Sequence, residues 1–257
     1  MTFRGTDVLH FLQGYFTCDC DQLTPETLQA AAICNLQGRV VVHGWCYLSA
    51  QDSVTWLIHQ SLEEILLQFM KPYLAFSKTQ LVGGVGDDCL ILGCLGNSLS
   101  ANSAKKEIAP GLSIQVLTDV DELQSALSTH QPIVRGHWDV ALIERKIAWL
   151  SSPNSGRFLP QMLGLLDLGA IDFDKGCYLG QEVVARAQHR GKVKRTLHRL
   201  QWTGPTAPEI GGDIINAGGK TVGSILQVAN VPPRCLAVVQ VDAESPFSQA
   251  GSELRSW

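Results

Sequence analysis

The chain has 257 residues, of which 17% are charged and 45% hydrophobic, with a formal net charge of −4. This balance excludes a disordered chain and a basic nucleic-acid coat, and the length allows two or three modest domains around a sizeable core. Arg4, Asp7 and His10 interrupt the apolar residues at the start, which argues against a secretory leader, and no apolar run reaches the ~18 residues of a membrane span. The expectation is a soluble globular protein of the cytoplasm, working without a membrane.

In chain order, residues 6–14 predict a short helix, with Thr6 as N-cap, Asp7 in the first turn, Val8, Phe11 and Leu12 on one face and Gly14 at the stop. Cys18-Asp19-Cys20 is tighter than the usual metal spacing of paired cysteines and lacks a second pair or a histidine partner at zinc-finger distance. Most of the eight cysteines are therefore read as free, buried, small apolar residues, and no tightly bound metal is expected. Asp19 either caps a turn or faces a ligand. Ala30–Leu48 predicts a β-hairpin turning at Asn35-Leu36-Gln37-Gly38, and His43 on its second strand is a group that titrates near neutrality when exposed.

Ser53–Ile58 reads as a strand. Ser61–Lys71 reads as a helix opened by a Ser61/Glu64 capping box, with Ile65, Leu66, Phe69 and Met70 inward and Pro72 after the stop. Leu81–Gly93 suggests a strand pair about a glycine turn at 83–88, which lacks both the third glycine of a dinucleotide fingerprint and the Lys-Ser/Thr of a P-loop. Ile114–Leu117 is a further strand, and Asp119 and Glu122 then cap a helix with Leu123, Ala126 and Leu127 inward. This alternation suits an α+β layer of two helices on an antiparallel sheet. Trp138–Arg145 reads as helical.

The stretch Asp172–Glu182 concentrates the chemistry. Two acidic N-cap candidates, Asp172 and Asp174, precede a glycine-bracketed Cys177, and an amphipathic helix follows and ends at Gly191. A cysteine at a helix N-terminus, two residues from Lys175, sits in a field that favours thiolate. Gln181 and Glu182 are expected to hold the loop by hydrogen bonds. Cys177 then has three possible roles: nucleophile, redox thiol, or one ligand of a cluster shared with a partner. From Asp172 to Arg199 there are seven Lys or Arg against three acids, a local net of +4 that suits a polyglutamate tail, a phosphate backbone or an acidic partner, or else an ordinary solvated face. Tyr178 is the one aromatic among those basic residues that stacking on RNA would use, so direct tRNA binding is not expected. After Arg195, short apolar runs separated by Gly211-Gly212, Gly218-Gly219 and Pro232-Pro233 have the texture of a small β-barrel, and the stretch from Asp242 onward reads as a loosely ordered end.

Three segments also carry a resemblance. Lys175-Gly176-Cys177-Tyr178-x-Gly180-Gln181-Glu182 with Val183 to Arg186 and Arg190 to Arg195, the opening Phe11-Leu12-Gln13-Gly14-x-x-Thr17-x-Asp19, and Ser155-Gly156-x-Phe158-x-Pro160-Gln161 resemble the motifs of the YgfZ family. These are folate-binding relatives of the glycine-cleavage T-protein, implicated in iron–sulfur protein maturation and tRNA modification. The resemblance implies a T-protein-like α+β arrangement of antiparallel sheets with helices and a C-terminal β-barrel. It further implies a folate-binding core from residues 1–33 and 131–195, a ferredoxin-like domain at 34–130 and the barrel at 196–257. The implied cofactor is tetrahydrofolate or a derivative, and the implied partners are iron–sulfur client or assembly proteins, with an indirect link to tRNA-modifying enzymes. Cys177 and Lys175 are the implied reactive pair, with Trp138, Asp19, Gln181, Glu182, Tyr178 and Arg186 at the folate. The T-protein carries an acidic pair where this chain has Val42 and His43, so glycine cleavage is not expected. The implied function is an accessory factor, with a tetrahydrofolate-dependent one-carbon transferase or demethylase, using His43 or Asp19 as base, as the alternative.

Overall fold

The computed structural model describes residues 1–83, 90–96, 105–117, 120–129 and 131–257. All but Gly83 of the turn expected at 83–88, and the cap expected of Asp119, lie outside these residues. A first antiparallel sheet comprises β1 (Thr2–Arg4), β2 (Gln29–Cys34), β3 (Val40–Ala50), β4 (Ser53–Ile58) and β5 (Gln80–Val82), ordered β2-β3-β4-β1-β5. It runs across residue 34, pairing Ala32 with His43 and Phe3 with Val54. The β2–β3 turn forms where the sequence asks for it. Asn35 Oδ1 accepts the amides of Gln37 and Arg39 at 3.0 Å each, and Gly38 adopts φ +69°.

Helix α1 (Val8–Gln13) is shorter than expected, and Thr6 does not cap it. The preceding Asp7 turns its carboxylate to the Thr79 hydroxyl at 2.9 Å and the Lys78 amide at 3.1 Å, fastening the approach to β5. Helix α2 (Glu63–Leu74) buries Leu66 and Met70 as the apolar spacing predicts. Its expected capping box is absent. His59 Nδ1 accepts the Ser61 amide, Ser61 Oγ accepts the Ser152 amide at 2.9 Å, and Glu64 instead accepts from Gln68. Pro72 lies inside the helix rather than after it. So near the C-terminus, its missing amide removes a single intrahelical bond.

The expected β5–β6 pair does not form. β6 (Leu90–Leu95) joins a separate sheet with β7 (Lys105–Ala109) and β8 (Leu112–Leu117), ordered β6-β8-β7, while β5 pairs with β1. Helix α3 (Val120–Thr129) buries Ala126 but leaves Leu127 exposed, against expectation. Helix α4 (Arg135–Glu144) buries Val140 to Ile143.

The chain ends in a closed barrel of β9 (Arg195–Thr203), β10 (Asp213–Asn216), β11 (Thr221–Asn230), β12 (Pro233–Gln240), β13 (Phe247–Gln249) and β14 (Ser252–Ser256), ordered β10-β11-β12-β9-β14-β13. Leu200, Ile214, Ile225, Cys235, Val239 and Leu254 fill it. The stretch after Asp242 is thus not a loose end. β13 and β14 are too short for period-two alternation to stand out, yet they close the barrel, with Leu254 opposite Trp202. Deleting residues 252–257 is expected to bare the β9 edge and the barrel interior, read as a lower urea midpoint; an unchanged midpoint would contradict the closure.

Candidate functional site

The opening motif and the cysteine loop, distant in sequence, are docked on each other. Thr17 is fully buried at their junction: its amide donates to Ala32 O at 3.0 Å, its hydroxyl accepts the Ala32 amide at 2.9 Å, and the same hydroxyl donates to Ala170 O at 2.6 Å. The amides of Asp172 and Leu179 donate in turn to Thr17 O and Gly14 O at 2.9 and 3.0 Å. Gln13 braces the neighbouring turn, donating to Asp19 Oδ1 and accepting the Cys20 amide, both at 2.8 Å. Asp19 also accepts from the Asp21 amide and from Gln22 Nε2. These bonds, the one from Gln13 foremost, hold its carboxyl below the usual carboxylate range. Asp19 is therefore a turn cap.

In the cysteine loop Asp172 Oδ1 accepts the amides of Asp174 and Lys175 at 2.8 and 3.1 Å, an Asx turn rather than a helix cap. Helix α5 (Gln181–His189) starts only after Gly180, so Cys177 precedes the helix instead of occupying its first turn. Lys175 turns to the backbone of the opening motif rather than to the Cys177 thiol. Its ammonium donates to Phe16 O and Cys18 O at 2.7 Å each and lies 5.5 Å from the Tyr178 ring centroid. Burial pulls its pKa below that of an ordinary lysine. Gln181 holds the loop by accepting the Tyr178 amide at 3.3 Å, whereas Glu182 points to an exposed ion pair with Arg186 at 2.8 Å. Tyr178 is buried, its hydroxyl has no hydrogen-bond partner among the described residues, and burial raises its pKa. Cys177 is exposed, while the other described cysteines, 18, 20, 34, 46, 94 and 235, are buried.

Cys18, Cys20 and Cys46 form a buried cluster of free thiols. The Cys20 thiol lies 3.9 Å from the Cys18 carbonyl and the Cys46 thiol donates to Gln29 O at 3.4 Å; the neighbouring thiols, with Lys175 nearby, lower the Cys18 pKa. Among the described residues no group of three or more His, Cys, Asp or Glu is arranged to hold a metal ion.

His43 is 2% exposed, its Nε2 has no hydrogen-bond partner among the described residues, and burial lowers its pKa to about 3. It is neutral at physiological pH and shielded from any substrate, which corrects the expectation of a base titrating near neutrality. Trp138 lies half-buried on α4 with its indole flat on β6, so close to Gly93 that a Cβ there would sit 2.7 Å from ring atoms. Its neighbour Asp139, missed in the sequence, is a half-buried carboxyl whose pKa burial raises. Trp149 is partly buried and packs against the core, its ring centroid 4.8 Å from that of Trp45.

The layers and the barrel define the fold of the glycine-cleavage T-protein. The chain matches the crystal structure of the glycine cleavage system aminomethyltransferase T from Bartonella henselae with a TM-score of 0.72, covering 99% of this chain and 81% of that one at 11% identity. Within that fold the chain belongs to the YgfZ family. It is 33% identical over 241 residues, 83% of its length and 72% of the relative's, to the tRNA-modifying protein YgfZ of Klebsiella pneumoniae (strain 342). No protein-family model matches the chain.

Proposed function

We propose that this protein is a cytoplasmic, folate-binding accessory factor for the assembly or repair of iron–sulfur proteins, acting on tRNA modification through the enzymes it serves. The observation that carries the reading is the pairing of an exposed Cys177 with the loss of the two bases considered for a transferase: His43 is buried and neutral, and Asp19 is tied into a turn by Gln13, Asp21 and Gln22. A one-carbon transferase or demethylase needs such a base. The reading draws on the family relative, named for tRNA modification, and on the aminomethyltransferase fold.

The residues we assign to a folate lie on α4. A pterin offers a flat face for an indole and a donor edge for a carboxylate. Trp138, one face of which packs on Gly93, would offer its other face to the ring, with stacking and burial worth ~1 to 3 kcal/mol, and Asp139 would be the candidate carboxylate. Bound tetrahydrofolate would supply one-carbon carrier chemistry. The chain's own residues would hold the pterin and present a separate thiol. The proposed partners are iron–sulfur client or assembly proteins rather than tRNA itself.

Calorimetric titration of tetrahydrofolate into anaerobic wild-type protein and Cys177→Ala is expected to give saturable binding to both, with the pterin independent of the thiol. No binding to either removes folate from the function. A panel of amine donors is expected to yield no 5,10-methylene-tetrahydrofolate, and stoichiometric formation would restore the transferase.

A further inference from the structure

Lys175 reaches back across the sequence to the backbone on either side of Thr17, bonding the carbonyls of Phe16 and Cys18. That backbone is itself immobilised on the edge of β2 by the two Thr17–Ala32 bonds. Two of the ammonium's three donors are thereby committed to this backbone, which fixes the direction of the side chain. Flanking it, the Asp172 and Leu179 amides bond Thr17 O and Gly14 O, so the loop is pinned before, at and after Lys175. Cys177 lies inside the pinned span and is left exposed.

We propose that Lys175 is a positioning residue, which sets the place of Cys177 by clamping the cysteine loop to the 14–18 backbone and does not act on the thiol. The opening motif is then the other half of the clamp, and the two motifs form one device for presenting a single thiol. The assignment rests on the reading of Cys177 as the working thiol.

The test compares Lys175→Met and Lys175→Arg with the full-length wild-type protein by amide hydrogen exchange and by the pH profile of Cys177 alkylation with iodoacetamide. For Lys175→Met the Asp172 and Leu179 amides are expected to exchange roughly tenfold faster, equivalent to ~1.4 kcal/mol. The alkylation plateau should change while the pH midpoint stays where the wild type has it. Lys175→Arg, which keeps charge and donors, should recover much of the amide protection. Unmoved amides with a moved midpoint would make the ammonium an activator of the thiol and overturn the assignment, as would no change in either. Should Lys175→Met fail to fold, Lys175→Gln, which keeps a donor without the charge, takes its place. Neither readout involves folate or a client, so this inference fails separately from the function proposed above.

Discussion

Gly180→Ala is expected to destabilise the protein by about 2 to 4 kcal/mol, a fall in Tm of roughly 5 to 15 °C. Gly180 opens α5 at φ +83°, a conformation that costs an L-residue ~1 to 2 kcal/mol. There is no space for a methyl either. A Cβ would collide with Asn35 O and come within 3.2 Å of the Gly38 Cα, in the turn between β2 and β3. Gly38 is interlocked in return, since a Cβ there would meet Val183 on α5 at 2.9 Å. The hairpin turn and the end of the cysteine loop thus fit only as two bare backbones. A melting curve matching the wild type would refute the interlock.

The second large effect is in acid. His43 has a folded-state pKa of about 3 against 6.5 for the free side chain, so the unfolded chain binds the extra proton between those values. Stability due to this group is complete above ~6.5 and drains away as pH falls towards 3, at up to ~1.4 kcal/mol per pH unit. His43→Leu removes the titration and the unpaired buried nitrogen together, so it is expected to cost little at pH 7 and to gain on the wild type steadily below pH 6. Urea unfolding at pH 7, 6, 5 and 4 measures the difference. His59 and His198, also lowered by burial, remain in both proteins and cancel. Parallel stability curves for the two proteins would mean that His43 is accessible to solvent.

How far the sequence could be read follows the range of each interaction. The hairpin at Asn35–Gly38 and the strands β9, β11 and β12 were legible because their turn residues and apolar runs are local. His43 was misjudged because β3 is buried on both faces from Val40 to Cys46, and the apolar run Val40-Val41-Val42 was the available sign of it. The helix caps went astray where a polar side chain found a better partner far away, as Asp7 did with Thr79 and Ser61 with Ser152. Lys175 is the clearest case. Proximity to Cys177 suggested a charge partner two residues off, whereas its partners lie 157 and 159 residues earlier in the chain. Spacing along a loop says nothing about which way a long side chain turns.

The strand orders also carry a consequence for synthesis on the ribosome. β1 is flanked by β4 and β5, and β9 by β12 and β14, so in both sheets an early-made strand waits for later ones on each side. At about 5 to 20 residues per second, the nascent chain displays unpaired edges for seconds before either sheet is complete. The finished molecule hides these edges. The half-made one offers them to chaperones and to neighbouring nascent chains, so exposure of these edges during translation is where aggregation competes with folding.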